Sequence, residues 1–152
     1  MFNLIVAIIS IGIFAALLGA GQSYFDGDSI ISIKEKSKID AAITKMSTSI
    51  TAYNLGRGDY PRSLSDIIPE YTRTPVLPTG LEWQSLSFNS GNGDISVCFG
   101  GTVKESVFRA LKESKKDAGG DVFIVGSKCG DKADAEFDAS DVRSVVVTYT
   151  IR

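Results

Sequence analysis

The first 25 residues, MFNLIVAIISIGIFAALLGAGQSYF, contain no Lys, Arg, Asp or Glu; all 34 such residues of the 152-residue chain lie from Asp26 onward. This stretch constrains the fold most, because a segment as apolar as Leu4–Ala20 needs lipid or protein around it rather than water. With Phe2 and Gly21 added, it reaches the lower edge of a bilayer-spanning helix, about 17–25 residues. Three explanations compete: a cleavable secretory signal, a membrane anchor, or a chain from which a leader has been removed. A secretory signal needs a basic n-region, and Met1–Asn3 supply no charge. The nearest basic residues, Lys34, Lys36 and Lys38, lie on the C-terminal side. By the positive-inside rule they would hold the following domain in the cytoplasm. A disulfide in that domain fits such a compartment poorly. A basic leader encoded upstream of Met1 resolves the conflict and is expected.

The formal charge of −2 gives no clustered basic surface for a nucleic acid, so no nucleic-acid partner is expected. The absence of histidine excludes histidine triads, relays and mixed zinc sites, and two cysteines alone do not build a zinc site. No catalytic residue, cofactor or metal is expected, and the chain does not read as an enzyme. Cys98 and Cys129 are the only thiols. They form either one disulfide or two separate buried thiols. Joined, they would close a loop of about 30 residues, worth roughly 3–4 kcal/mol.

Helical periodicity continues past the apolar start. Ile39, Ile43, Met46, Ile50 and Tyr53 recur at spacings of 4, 3, 4 and 3, a stripe on one face of a helix. Lys36, Lys38, Asp40, Lys45 and Ser47 fall mostly off it. No proline interrupts the chain before Pro61, so one rod over residues 2–54, about 80 Å long, is expected. Its amphipathic half, residues 26–54, would pack on its own domain, and its apolar half, residues 1–25, on lipid or on other copies. Gly19 and Gly21 together weaken the helix by about 2 kcal/mol relative to alanine and form its soft point. Gly12 and Gly19 allow close helix approach. Gly56 and Gly58 are expected to stop the rod, with Tyr60-Pro61 beginning an extended segment.

The remainder, residues 55–152, reads as a small α+β head. Ser63 or Ser65 caps a short turn, and Pro69–Gly80 is irregular. "WQSLSF" and "DISVCF" flank NSGNG as a hairpin. Thr102 with Glu105 forms a candidate capping box for a helix to about Ser114, with Val103, Val107 and Leu111 inward. Lys112, Lys115 and Lys116 suit its end, and Gly119-Gly120 closes it. "DVFIVG" and "VRSVVVTYTIR" follow as strands. The fold class is α+β: a long N-terminal helical spine on a small antiparallel sheet with one further helix.

In this order, an apolar helix, an amphipathic continuation and "SITAYNLGRGDYPRS", the chain resembles the type IV pilin family, in particular its type IVb branch, and the related pseudopilins. The resemblance covers roughly Met1–Leu64; the later part matches in layout. It implies a leader cut by a prepilin peptidase, a processed N-terminus at Met1 and a C-terminal disulfide loop between Cys98 and Cys129. It further implies insertion in the bacterial inner membrane, then assembly by pilus machinery into an extracellular filament of identical subunits. Phe2, Leu4, Ile5, Ile8, Ile9, Ile11, Phe14, Leu17 and Leu18 would form the filament core, with Gly19 and Gly21 as the site of helix melting. The family's usual fifth-position glutamate is replaced by Ile5, and no acidic group precedes Asp26. Subunits lacking that glutamate occur at filament tips and in some conjugative pili. The alternatives are therefore a minor pilin or pseudopilin of a tip complex or type II secretion system, and a monomeric membrane-anchored binding domain.

Two further signals are weaker. Arg57-Gly58-Asp59 matches the integrin-binding tripeptide, but a helix-terminating loop explains its glycine. Asp131, Asp134, Glu136, Asp138 and Asp141 form an acidic run without EF-hand spacing, read as a solvated loop rather than a calcium site.

Overall fold

A computed structural model describes residues 27–89, 93–130 and 142–151. The filament-core residues, Gly19 and Gly21, the processed Met1 and the acidic run lie outside the described residues. The chain divides into two units, Met1–Ile31 and Ser32–Arg152. The second is an α+β domain of two helices and a four-stranded antiparallel sheet.

Helix α1 spans Gly27–Arg57. Its stripe behaves as the spacing requires: Ile39, Ile43, Met46 and Ile50 are buried and Tyr53 is half-buried. The helix is rich in Ser and Thr, which usually compete with helical hydrogen bonding. Here Thr44, Thr48, Ser49 and Thr51 return their hydroxyls to the carbonyl four residues back, at 2.7–3.0 Å. The expected end at Gly56 is corrected. Gly56 stays helical, and Gly58 ends the helix with φ 71° and its N–H on the Asn54 carbonyl at 2.7 Å. A left-handed residue just past the last turn closes a helix at little cost when it is glycine.

A single 3-10 turn, Leu64–Asp66, follows. The Asp66 carboxylate fixes it by reaching back to the N–H groups of Arg62 (2.8 Å) and Ser63 (2.9 Å). These two backbone donors, Arg62 first, hold the Asp66 carboxyl below its ordinary pKa. The Ile68–Pro69 peptide is cis. Residues 72–78 are irregular, as the prolines suggested.

Strands β1 (Leu81–Phe88) and β2 (Ile95–Lys104) form the expected hairpin. Helix α2 (Glu105–Ala118), β3 (Phe123–Gly126) and β4 (Val142–Ile151) complete the domain. The sheet order is β1-β2-β4-β3. Since β4 runs antiparallel to both β2 and β3, those two strands are parallel to each other and α2 crosses between them with β4 inserted.

The proposed Thr102–Glu105 capping box does not form. Thr102 and Lys104 lie in β2, paired with Ser144 and Val142, and Lys104 is the residue at the helix N-cap. Ten consecutive ladder positions with β4 outweigh one side-chain cap, worth about 1 kcal/mol. The helix also runs beyond Ser114 to Ala118, where Gly119 (φ 89°) closes it.

In β1 the inward residues are Leu81 and Trp83, then Leu86 and Phe88. The register slips between Trp83 and Ser85, so Gln84 is an extra residue that resets the alternation. Gly101 (φ 154°) lies so close to the Gly80 carbonyl that a β-carbon there would overlap it.

Both helices cover the same sheet face. Ile39 and Ile43 pack with Phe99, Val103, Leu111, Phe123, Val125, Val145 and Val147. Met46 and Ile50 pack with Ile67, Leu86, Ile95 and Val97. The helices are also tied by polar groups. Lys36 Nζ donates to Asp40 (2.8 Å) and to Asp117 of α2 (2.9 Å). Ser114 Oγ donates to the second oxygen of Asp40 at 2.8 Å. The hydrogen bond to Asp40, then that to Asp117, raises the Lys36 pKa further above its ordinary value.

Candidate functional site

The sheet face away from the helices carries the disulfide. Along β2, Ile95, Val97, Phe99 and Val103 point to the helices, which places Cys98 on the other face. It is nonetheless fully buried, because the chain turns back after β3 and joins it through Cys129. The expected bridge is present, with Cα atoms 5.8 Å apart. Thr148, level with Cys98 on β4, lies with its hydroxyl 3.6 Å from Cys98 Sγ and accepts the Gly130 N–H at 2.8 Å. Ser85, level with Cys98 on β1, sits 3.6 Å from Cys129 Sγ. Two hydroxyls and one disulfide therefore fasten residues 127–130 over the outer face. Beside them lies a polar hollow of about 610 Å³, lined in part by Ser96, Thr148, Thr150, Asp121 and Gly130.

The Arg57-Gly58-Asp59 tripeptide is committed to structure. Arg57 pairs with Glu70 at 3.0 Å, reaches the Tyr71 hydroxyl at 3.4 Å and lies over the Tyr53 ring. The Tyr71 hydroxyl, then Glu70, raises the Arg57 pKa above its ordinary value. Asp59 accepts the Tyr60 N–H at 2.8 Å. An arginine held in the last helical turn and an aspartate folded onto its neighbour's backbone do not offer an extended recognition loop. Sequence reading did not anticipate this clamp, since Glu70 and Tyr71 lie 13 and 14 residues away.

The remaining features are apolar and exposed. Ile30, Ile31 and Ile33, near the start of α1, are each about half to two-thirds exposed. Leu55, near its end, is 81% exposed, and Val76 is 80% exposed. Leu55 borders a recess of about 180 Å³ lined by Ile50, Thr51, Asn54, Tyr60, Gly93, Ile95 and Ile151. Its residues come from the end of α1, the following loop, the start of β2 and the end of β4, so no local pattern announces it.

Among the described residues, no helix is long and apolar enough to cross a membrane and no cluster of three metal-ligating side chains occurs. Comparison with family models, curated proteins and solved structures finds no match to the chain.

Proposed function

We propose that the chain is a structural subunit of a bacterial type IV pilus, polymerising through residues 1–25 and displaying residues 55–152. The observation that carries the reading is a change of character along the sequence. From Ile39 to Ile50 the apolar face of α1 is buried by the domain's own sheet. Ile33 is 64% exposed, and just upstream the sequence becomes the uncharged run Met1–Phe25. A domain that has satisfied its own core leaves such a run for other partners: lipid before assembly, identical subunits afterwards. The α+β layout and the Cys98–Cys129 bridge support the same reading.

Before assembly the subunit sits in the inner membrane; afterwards it lies in an extracellular fibre. Burying about 20 apolar side chains at roughly 1.5–3 kcal/mol each is a gross gain of tens of kcal/mol against water. Most of it is already gained in lipid, so the same segment serves both environments. The replacement of the fifth-position glutamate by Ile5 favours a second reading, a minor pilin or pseudopilin.

Shearing fibres from cells and quantifying their protein by mass spectrometry tests the proposal. A fibre built chiefly of this chain supports the first reading, and a few copies per fibre support the second. A chain that stays in membranes, whose domain without residues 1–25 retains all function, refutes both.

A further inference from the structure

The four-stranded sheet ends at β3 on one side and at β1 on the other. An edge strand presents a row of backbone N–H and C=O groups with which a further strand can pair. Proteins blunt such edges by keeping them short or by placing Lys or Pro on them. β3 is four residues long. β1 is eight residues long and contains no Lys, Arg or Pro. Apart from the Leu81 N–H, which donates to the Pro78 carbonyl at 3.1 Å, the β1 backbone is bonded among the described residues to β2 alone. The slip at Gln84 confines regular pairing to a short segment on either side of it. At Leu81–Trp83 the open edge borders a groove of about 480 Å³, lined in part by Pro75, Val76, Leu77, Leu81, Glu82 and Trp83. The groove wall is fixed, because the Trp83 indole N–H donates to the Pro75 carbonyl at 2.8 Å. Val76 is 80% exposed. Glu82 is also exposed and forms no ion pair among the described residues.

We propose that the Leu81–Trp83 edge of β1 docks an extended segment of a partner protein, one that carries Lys or Arg beside an aliphatic residue. Strand addition supplies backbone hydrogen bonds, and sites for alternate side chains supply selectivity. Successive side chains of an added strand point to opposite faces of the sheet. Leu81 and Trp83 pack toward the helices, and Glu82 between them faces the other way. An incoming strand therefore sets an aliphatic side chain into the groove against Leu77 and Trp83. The next side chain along it meets Glu82 on the opposite face, where a cation is favoured. Charge selects the occupant. Both edge strands of this chain, LEWQSLSF and FIVG, lack Lys and Arg. Edge-to-edge pairing with a second copy would leave Glu82 without a cation. A small apolar ligand would fill the groove and leave the backbone groups of the edge unpaired. The site lies wholly within the unit Ser32–Arg152, so it is independent of the filament reading above.

Random dodecapeptides displayed on phage and selected on the full chain in detergent supply the probe. Recovered peptides are synthesised and titrated against the parent chain and against Glu82→Lys. The expected sequences place Lys or Arg next to an aliphatic residue. At saturating peptide, nitrogen-15 NMR is expected to show the β1 amides that face away from β2 exchanging about tenfold more slowly or better, as newly made backbone hydrogen bonds require. Glu82→Lys should weaken these peptides about fivefold or more, because it sets like charges across the pair. Its unfolding temperature should match the parent, because Glu82 is exposed. A selection that yields no peptide sensitive to residue 82, sequences without a basic residue, or protection confined to other elements overturns the proposal. So does pairing of copies through β1 in the absence of peptide, read as cross-links between ordinary and nitrogen-15-labelled copies from Gln84→benzoylphenylalanine.

Discussion

Removing the bridge, by Cys98→Ala together with Cys129→Ser, separates what the disulfide does to the folded domain from what it does to the unfolded chain. The cysteines are 31 residues apart. Closing a loop of that length removes about 12 cal/mol/K from the unfolded ensemble, or about 4 kcal/mol at 25 °C. The folded state loses less. Position 98 keeps its ladder partners Ser85 and Thr148, and Gly130 keeps its hydrogen bond to Thr148. The sheet should therefore persist and the free-energy difference should arise mainly in the unfolded chain. Guanidinium unfolding of the full chain in detergent, followed by circular dichroism, is expected to show a loss of about 3–5 kcal/mol. The denaturant slope should rise, because the uncrosslinked chain exposes more surface when unfolded. A loss below about 1 kcal/mol with an unchanged slope would refute the reasoning.

Two other expectations follow from single residues. Phe99→Ala removes a fully buried ring packed at 5.2 Å on Trp83 and 6.4 Å on Phe123, and should cost about 3–5 kcal/mol in the same unfolding assay. Asp66→Ala removes the acceptor for two backbone N–H groups and should cost on the order of 1 kcal/mol at neutral pH. Because the folded Asp66 pKa lies below its ordinary value of 3.8, its contribution is complete above that value and disappears as pH falls through the folded one. The gap between parent and variant should be flat from neutral pH to about 5 and narrow as the pH falls further; a gap that widens on acidification would contradict this assignment.

The elements that were legible in sequence are those with a strong local period. The 4-3-4-3 spacing from Ile39 to Tyr53 located the buried face of α1, and the turn residues between two apolar runs located the β1–β2 hairpin. Boundaries decided by distant partners were not legible. β2 extends to Lys104 because β4 pairs with it that far, and a local capping signal at Thr102 carries no information about residues 142–144. Gly56 looked like a stop, but a single glycine in a packed helix costs only about 1 kcal/mol, and the helix runs through it to Gly58. The slip at Gln84 left a trace in the apolar positions 81, 83, 86 and 88, whose parity changes midway. The recess at Leu55 left none, since it is assembled from three stretches far apart in the chain.

Trp83 packs against both apolar clusters, its indole N–H fixed on the Pro75 carbonyl at 2.8 Å. It is also the only tryptophan in the chain. The domain thus carries a native optical gauge at the seam between its two apolar clusters. Light emitted by this one side chain will register loosening on either side of the seam, with no dye or label added.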